Sequence, residues 1–354
     1  MCYPRVEISL DKIRNNTSKI VYLCHENGIS VVGVTKVFCA NDEIVKVMIR
    51  GGIDIIGDSR IENLKRLKSY KLPKLLLRLP MISEAREVVK YADISLNSEI
   101  DTIKILSKEA IRIAKKHNII LMIDLGDLRE GIFHETLIYK TVEKILLLDS
   151  INLIGIGTNL TCYGGVLPDK NNLKRLISIK ENIQEKYKLD IKIVSGGNSS
   201  SIHLLKKSEM PKGINQLRVG EAIVLGRETA YGNPIQHTYQ DALILKCEII
   251  ELQNKPSKPI GVIGIDAFGN KPLFEDNGIR KRAICAIGKQ DIYHKDIIPI
   301  DKNIEIIGSS SDHLILDVTN CKKKYKVGSK VEFKMTYGGA LSVFTSKYVK
   351  KIYV

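Results

Sequence analysis

The sequence predicts an α/β fold, a (β/α)8 barrel followed by a separate C-terminal all-β domain. In the first two thirds of this 354-residue chain, short β-rich runs alternate with charged, amphipathic segments of helical length. Eight such runs follow a first strand, which fits a closed barrel better than an open sheet. No G-x-G-x-x-G motif follows an early strand, which disfavours a dinucleotide-binding fold.

The barrel elements follow from this alternation in chain order. A predicted first strand at Arg5–Ser9 precedes eight apolar runs that are rich in β-branched residues. These eight runs are Ser30–Val34, Ile53–Ile56, Lys74–Leu79, Ala92–Leu96, Ile119–Asp124, Asn152–Thr158, Asp190–Val194 and Gln216–Ala222. The intervening helices are Asp11–Glu26, Asp42–Arg50, Ile61–Lys68, Ser83–Val89, Glu99–His117, His134–Leu148, Asn171–Lys188 and Ser200–Lys206.

The pattern changes near Thr229–His237, and from Tyr239 to Val354 only β-type runs appear. We therefore predict a barrel over residues 1–235 and a β domain over residues 236–354. The predicted strands of the second domain include Ala242–Leu252, Pro259–Ile265, Arg282–Ile287, Ile304–Ile307, Leu314–Val318 and Lys330–Met335.

Composition narrows the class of protein. The formal net charge is +15, but the basic residues are scattered along helical segments, and Lys322–Lys324 is the one run. This favours a solvated lysine-rich surface over nucleic-acid binding. No apolar stretch approaches a membrane span, and the N-terminus lacks the pattern of a signal peptide. Seven widely spaced cysteines without a C-x-x-C pair indicate reduced thiols, and hence a cytoplasmic protein without a zinc site.

Lys36 is the first candidate functional residue. It follows the apolar run Ile29–Val34, which is typical of a strand buried on both faces. An ammonium at such a position is costly to desolvate, so the amine can become a nucleophile. A lysine that simply reaches water is the ordinary alternative. Other polar residues also follow strands, and barrel chemistry takes place at these ends.

Ser195–Ser201 is a candidate anion site. Its two glycines let backbone amides approach a ligand, and its serines begin a helix whose N-terminus favours phosphate. A lysine nucleophile with one phosphate site predicts pyridoxal 5′-phosphate (PLP) bound as a Schiff base. Schiff-base aldolases share this combination, but they carry the lysine on a late strand.

Taken together, these motifs resemble the alanine racemase family of fold-type III PLP enzymes, over nearly the whole chain. Longer motifs resemble the branch of this family that acts on ornithine. The resemblance to the family as a whole rests on Lys36, Asp124–Gly131, Gly196–Ser200 and Leu217–Gly220. The resemblance to the ornithine branch rests on Gly33–Cys39, Asp58–Asn63, Gly157–Gly164 and Gly226–Gly232.

The resemblance implies a head-to-tail homodimer that interconverts L- and D-ornithine by two-base exchange of the α-proton. It implies that Lys36 carries PLP and acts as one base. Arg218 would face the pyridine nitrogen, and Arg129 would lie near the phenolic oxygen of the cofactor and the carboxylate of the substrate. The implied phosphate ligands are Asn198, Ser199, Ser200 and the amide of Gly220.

Three positions depart from the family pattern. Ala40 replaces an aromatic residue, Asn159 replaces the histidine that stacks on the cofactor ring, and Ile265 replaces the tyrosine that is the second base.

The resemblance therefore leaves the second base open. Asp266 is our catalytic prediction, and each candidate also has a local structural explanation. The other candidates are Tyr337, which we also predict to bind the cofactor phosphate, and the loop Ser311, Asp312 and His313, which we predict to contact substrate.

Substrate and reaction type retain alternatives. A distal ammonium needs an acidic partner, for which Asp266, Asp127, Glu221 and Asp312 are candidates. Lysine, arginine and ornithine differ little in a polar pocket, and alanine is a further possible substrate. Decarboxylation of a basic amino acid on the same fold, and a non-catalytic PLP carrier, are the rival functions.

Overall fold

The structure, a computed structural model, describes residues 2–269, 271 and 273–354. Two compact units divide the chain, one comprising Leu10–Gln240 and the other Asp241–Val354 together with the N-terminal strand. The strands are β1 (Arg5–Ile8), β2 (Ser30–Val34), β3 (Ile55–Asp58), β4 (Lys74–Leu76), β5 (Ile94–Asn97), β6 (His117–Met122), β7 (Ile151–Gly157), β8 (Ile193–Asn198), β9 (Gln216–Val219), β10 (Leu243–Pro256), β11 (Ile279–Cys285), β12 (Ile297–Pro299), β13 (Glu305–Ser309), β14 (Leu314–Asp317), β15 (Lys330–Met335) and β16 (Lys350–Tyr353).

Helices alternate with the strands in the first unit. Most present apolar side chains at helical spacing on a buried face, as an outer layer of a barrel requires. The α-helices are α1 (Leu10–His25), α2 (Asp42–Arg50), α3 (Ile61–Arg66), α4 (Ala85–Tyr91), α5 (Ile100–Arg112), α6 (Glu135–Leu146), α7 (Lys170–Tyr187), α8 (Ile202–Lys206), α9 (Glu221–Leu225) and α10 (Tyr337–Thr345), and short 3-10 helices cover Lys36–Phe38, Ile82–Glu84, Ser199–Ser201 and His294–Asp296.

The first unit is a closed parallel barrel of β2 to β9, which confirms the predicted fold class. β9 closes it by pairing with β2, with Arg218 opposite Val32. Side chains from successive strands, among them Leu75, Ile120 and Met122, fill an apolar core. Because all eight strands are parallel, their carboxyl ends meet at one rim, and the loops that carry the candidate residues start there.

Gly33 lets β2 lie close to its surroundings just before Lys36. A Cβ atom at this position would lie 2.6 Å from Ile53 Cδ1 and 2.9 Å from Met48 Cε. A larger residue would therefore push against the side chains of Ile53 and Met48, which pack on the strand that precedes the lysine.

The second unit is an eight-stranded sheet with one α-helix among its described residues. Its strands pair in the order β12-β15-β10-β11-β14-β13, and β1 joins this sheet by pairing with β10 and with β16. The sheet confirms the predicted all-β character, apart from α10, which the sequence analysis missed. Thr336 caps this helix, its Oγ1 accepting from the amide of Gly339 at 3.2 Å.

Two further predictions about this unit differ from the structure. The predicted strand Pro259–Ile265 is wrong, because these residues form no strand. The predicted division after residue 235 falls instead after Gln240. The predicted first domain also included the N-terminal strand, which belongs to the second unit through its pairing with β10.

No helix in the described part of the chain is long and apolar enough to cross a membrane.

Within the barrel, several predicted boundaries need correction. The strand predicted at Asp190–Val194 covers Ile193–Asn198, and the one predicted at Lys74–Leu79 ends at Leu76. The predicted helix Glu99–His117 ends at Arg112, and His117 begins β6. The predicted strand Gln216–Ala222 ends at Val219, after which Gly220 leads into α9.

Candidate active site

Lys36 lies directly after β2, at the start of a short 3-10 helix. Cys39 and Ala40 both adopt left-handed backbone conformations, and the amide of Ala40 donates to the carbonyl of Thr35 at 3.0 Å. This tight turn fixes the lysine at the barrel rim. Burial lowers the pKa of the Lys36 amine, and the nearby charge of Arg129 lowers it further. Lys36 thus has the environment that the sequence predicts for a nucleophilic amine.

Asp58 supports this turn from the end of the neighbouring strand β3. The Thr35 hydroxyl donates to Asp58 Oδ2 at 2.6 Å, and the amide of Arg60 and the side chain of Asn63 donate to Oδ1. Asp58 is buried, and burial raises the pKa of its carboxyl above the usual value. Its contacts make it a structural anchor that also places a negative charge near Lys36.

Arg218 lies on β9 with its guanidinium enclosed. Its Nη1 donates to Ser195 Oγ, and its Nη2 donates to the carbonyl of Thr158 at 2.6 Å. Burial lowers the pKa of Arg218 to about 10, so the group still carries its charge at neutral pH. The charge of Arg129 acts on Arg218 as it does on Lys36, which places these three cations in one electrostatic neighbourhood.

The predicted phosphate site is a compact turn after β8. The Asn198 side chain accepts from the amide of Ser200 at 2.8 Å and donates to the carbonyl of Leu160 at 2.9 Å. Ser199 Oγ accepts from the amide of Ala222, which links this turn to the start of α9 beside Gly220. Asn198 therefore orients the turn through its side chain, and its predicted role as a phosphate ligand stays a prediction.

Two buried hydroxyl groups near this turn have no hydrogen-bond partner among the described residues. They are Ser200 Oγ and Thr158 Oγ1, and both side chains are fully buried. An unpaired buried hydroxyl is costly unless a ligand satisfies it. Ser200 therefore fits a phosphate oxygen, and a cofactor with one phosphate group suits this donor set.

The loop after β6 carries Arg129. Asp124 Oδ1 accepts from the amides of Gly126 and Leu128, and it thereby shapes the loop. Asp127 accepts from several amides of the loop after β7, including that of Tyr163. Burial opposes the charge on Asp127, but these amides hold the pKa of its carboxyl below the usual value. Asp127 is therefore committed to loop structure, which leaves it poorly suited to bind the amine of a substrate.

Asn159 lies between the two arginines and Asn198. The side-chain amide of Asn159 is oriented with its oxygen toward Arg129. This oxygen accepts from Arg129 Nη2 at 2.5 Å and from Nη1 at 3.1 Å. An amide is smaller and more polar than the histidine that the family pattern carries here. It thus contributes hydrogen bonds to the arginine cluster in place of ring stacking.

Glu221 begins α9 and pairs with Arg227, whose Nη2 lies 3.0 Å from its Oε1. Burial raises the pKa of Glu221, although the charges of Arg227 and Lys36 oppose this shift. The structure therefore brings together Lys36, Arg129, Asn159, Arg218 and Glu221 at one rim of the barrel.

The remaining candidates belong to the second unit. Asp266 Oδ1 accepts from the amide of Phe268 at 2.9 Å, so Asp266 organises a local turn. Ser311 Oγ donates to Asp312 Oδ2 at 2.7 Å, and the amide of His313 donates to Ser310 Oγ at 3.2 Å. Tyr337 is the first residue of α10. These local contacts agree with the structural alternatives and leave the predicted roles as proposals.

Sequence reasoning did not predict several contacts of the site. The Thr35 hydroxyl donates to Asp58 beside Lys36, and Ser195, the first residue of the predicted anion site, accepts from Arg218. Thr158 carries a hydroxyl without a partner among the described residues. Glu130 pairs with Arg129 through both of its carboxylate oxygens. All four lie in or beside the motifs quoted above. Local sequence does not indicate the contacts of Thr35 and Ser195, since their partners come from other strands. The partner of Glu130 is its neighbour in the sequence, but the motif alone does not indicate that the two side chains pair.

Comparison with known proteins places this site in a family. The family model for the N-terminal domain of alanine racemase matches residues 8–228, which span the barrel. The chain belongs to the alanine racemase family. Among curated proteins, it is 52% identical over 349 residues to ornithine racemase from Acetoanaerobium sticklandii, with 99% of each chain covered.

A second relative and a solved structure extend the comparison. Lysine racemase from Thermotoga maritima is 44% identical over 355 residues, which cover 100% of this chain and 99% of that protein. The crystal structure of alanine racemase from Bartonella henselae with covalently bound pyridoxal phosphate has a TM-score of 0.76, 17% identity and full coverage of both chains. At that identity the likeness concerns the fold, and it agrees with the barrel and the additional sheet.

Proposed function

We propose that the protein is a PLP-dependent amino-acid racemase whose substrate is ornithine. The observation that carries the proposal is the half-buried amine of Lys36 beside the charges of Arg129 and Arg218. It occurs in a chain that is 52% identical to an ornithine racemase. Both curated relatives described above are racemases, which disfavours the decarboxylase and the PLP-carrier alternatives.

The described residues fit PLP. Ser200 Oγ is a buried donor without a partner in the described chain, and with Ser199 and the Gly220 amide it would hold the phosphate. Asn198 would hold the same turn in shape, and Tyr337 remains a proposed phosphate ligand. When bound, PLP supplies an electron sink that acidifies the α-proton of an amino acid. Lys36 would be the residue that carries it.

Arg218 would face the ring nitrogen and keep it unprotonated. Its guanidinium holds its own proton at neutral pH, because even the lowered pKa is about 10. It is also fixed by Ser195 and by the carbonyl of Thr158, so it is an oriented donor. An unprotonated ring is a weaker electron sink, which disfavours transamination and suits reversible proton exchange.

Lys36 would move the α-proton on one face of the substrate, because its lowered pKa leaves more neutral amine at neutral pH. Arg129 would contact the substrate carboxylate with the Nη1 N–H group that Asn159 and Glu130 leave available. Asp266 is our proposal for the base on the opposite face, and the Ser311, Asp312 and His313 loop would contact substrate. These roles rest on the family resemblance, since both Asp266 and the loop make local hydrogen bonds.

A homodimer is part of the proposal. In the second unit, Ile260, Ile265 and Leu273 are 91%, 77% and 95% exposed, respectively. Apolar side chains exposed in one segment are typical of a protein interface. The segment that carries Asp266 would therefore pack against a second copy of the chain. All seven cysteines are free, which is consistent with the cytoplasmic location that we propose.

Lysine is the second candidate substrate. The 44% identity to a lysine racemase supports it, and one extra methylene in a polar pocket changes binding by little. Alanine and norvaline lack the distal amine that an acidic partner would recognise.

Chiral chromatography of the holoenzyme with single enantiomers tests the substrate. We expect kcat/KM for ornithine to exceed that for norvaline by about a hundredfold or more, because a distal ammonium pair is worth several kcal/mol when it is desolvated. Lysine should fall between them, and norvaline is the matched control because it differs from ornithine only by the amine. Equal rates on ornithine and norvaline would contradict the substrate, and formation of putrescine would contradict racemisation.

A further inference from the structure

Glu130 makes a two-point contact with the arginine that precedes it. Arg129 Nε donates to Glu130 Oε2, and Arg129 Nη2 donates to Glu130 Oε1. The glutamate side chain is largely buried, whereas the arginine side chain is half-exposed. A bidentate pair of this kind fixes the plane of the guanidinium as well as its charge.

The contact with Glu130 leaves part of the guanidinium for other partners. Of its five N–H groups, one on Nε and one on Nη2 point to Glu130. The second Nη2 hydrogen and one hydrogen of Nη1 point to the oxygen of Asn159. Arg129 is thus held by Glu130 and Asn159 together, and one N–H group of Nη1 remains for a ligand.

Backbone hydrogen bonds shape the loop that carries Arg129 and Glu130. The Asp124 side chain accepts hydrogen bonds from two amides of this loop, and Ile123 pairs with Ile132 in an isolated β-bridge. A Cβ atom at Gly131, whose φ is +123°, would lie 2.5 Å from the backbone nitrogen of Asp124. The backbone is therefore closely packed at both ends of the segment that carries Arg129 and Glu130.

Glu130 also acts on the other cations of the site. Its negative charge favours the charged form of Lys36 and of Arg218, whereas Arg129 opposes it at both positions. A neutral side chain at position 130 would leave three cations with less compensation. The electrostatic potential at the barrel rim would then be more positive.

We propose that Glu130 is a positioning residue. It holds Arg129 so that the remaining N–H group of Nη1 meets the carboxylate of the amino-acid substrate, and its negative charge offsets the charge of Arg129 toward Lys36. The inference rests on the proposed function and deepens it. It assigns to Glu130 a role that acts through Arg129 and involves no contact of its own with the substrate.

Chemical labelling tests the hold on Arg129 independently of turnover. Phenylglyoxal reacts with arginine side chains that are accessible and weakly paired. In the Glu130→Gln holoenzyme, peptide mapping should show modification of Arg129 accelerated about tenfold, because the charged bidentate contact is lost. Glu135→Gln is the matched control, since Glu135 is an exposed glutamate that contacts Tyr139, and it should leave the rate unchanged. An unchanged rate in Glu130→Gln would overturn the proposal.

Kinetics tests whether the hold serves the substrate. Glu130→Gln should raise KM for ornithine about tenfold and change kcat less, whereas Glu130→Asp should recover part of the loss. Loss of the Glu130 charge should lower the pKa of Lys36 further. The rising limb of kcat/KM should therefore reach half its maximum at a lower pH in Glu130→Gln. Reduced expression or a lower melting temperature with an unchanged KM and pH profile would mark a merely structural residue.

A double-mutant cycle separates the two claims. In an Arg129→Lys background, Glu130→Gln should change KM by less than about twofold, because the residue that it positions is gone. A full tenfold effect in that background would show that Glu130 acts without Arg129. If the wild-type protein does not racemise ornithine, the proposed function fails, while the labelling result still decides whether Glu130 holds Arg129.

Discussion

At the scale of single residues, the environment of Lys36 explains how an amine can be reactive at a polar rim. Burial lowers the pKa of its ammonium, Arg129 acts in the same direction, and Cys162, Asp58 and Glu130 act in the opposite one. The balance leaves a lowered pKa, which means a larger fraction of free amine. This balance could not be predicted from the sequence, because the opposing charges come from three different loops.

Ser200 is the residue where the structure most directly indicates a missing ligand atom. Ser200→Ala should weaken the binding of PLP to the cofactor-free protein about tenfold, because a hydrogen bond to a phosphate is lost. The same change should leave the stability of the cofactor-free protein unchanged or slightly higher, since the hydroxyl has no partner in the described chain. Absorbance titration with PLP and thermal unfolding measure the two effects.

Ser201→Ala is the matched control for this prediction. Ser201 Oγ donates to the carbonyl of Gly196 at 2.7 Å, so its removal should lower the melting temperature of the cofactor-free protein. Unchanged PLP affinity in Ser200→Ala would contradict the assignment of the turn as a phosphate site.

At the scale of elements, the sequence predicted the barrel strands well, because buried parallel strands are continuous apolar runs. It failed where composition and structure diverge. Pro259–Ile265 is apolar enough for a strand, yet Ile260 and Ile265 are exposed and unpaired in any sheet. Helix α10 was missed because Gly338 and Gly339 disfavour helix, although Thr336 gives a capping signal.

A buried histidine connects two barrel strands. His117 at the start of β6 lies 2.8 Å, Nε2 to Oγ, from Ser95 on β5. Burial lowers the pKa of His117 from 6.5 to about 4, and the positive charge of Lys115 contributes less. In the unfolded chain the same group would take up its proton near pH 6.5. Between these two pH values the unfolded state holds more protons, so acidification favours unfolding.

We therefore expect the free energy of unfolding to decrease as the pH falls from about 7 to about 4.5, with up to ~3 kcal/mol from His117 alone. Urea denaturation across this range measures it. His117→Gln should flatten the slope in this range relative to the wild type, whatever its stability at pH 7. Exposed His134 provides the control, since His134→Gln should retain the slope. An equal slope in His117→Gln would show that other groups cause the pH dependence.

At the scale of the whole molecule, the candidate site forms because parallel strands bring distant sequence segments to one rim. Lys36, Arg129 and Arg218 are far apart in the sequence, yet their charges act on one another. Alternation of strands and helices was enough to predict this convergence. The pairing of β1 with β10 and β16 was not predictable, because β1 is far from both strands in the sequence and local patterns contain no information about partners.

The central claim is that the protein exchanges the α-proton of ornithine through Lys36 on one face and Asp266 on the other. In heavy water, a racemase incorporates one deuterium at Cα as it inverts the substrate. Asp266→Asn should lose exchange from one enantiomer and retain it from the other, if Asp266 is the second base. Retained exchange from both enantiomers with a raised KM would instead make Asp266 a contact of the distal amine.

The most direct test is the wild-type holoenzyme with L-ornithine in heavy water, followed by chiral chromatography and mass spectrometry. We predict equal final amounts of D- and L-ornithine, each carrying one deuterium at Cα, and no exchange in Lys36→Ala. Full activity in Lys36→Ala, or a D-ornithine product that retains its original α-hydrogen, would contradict this account.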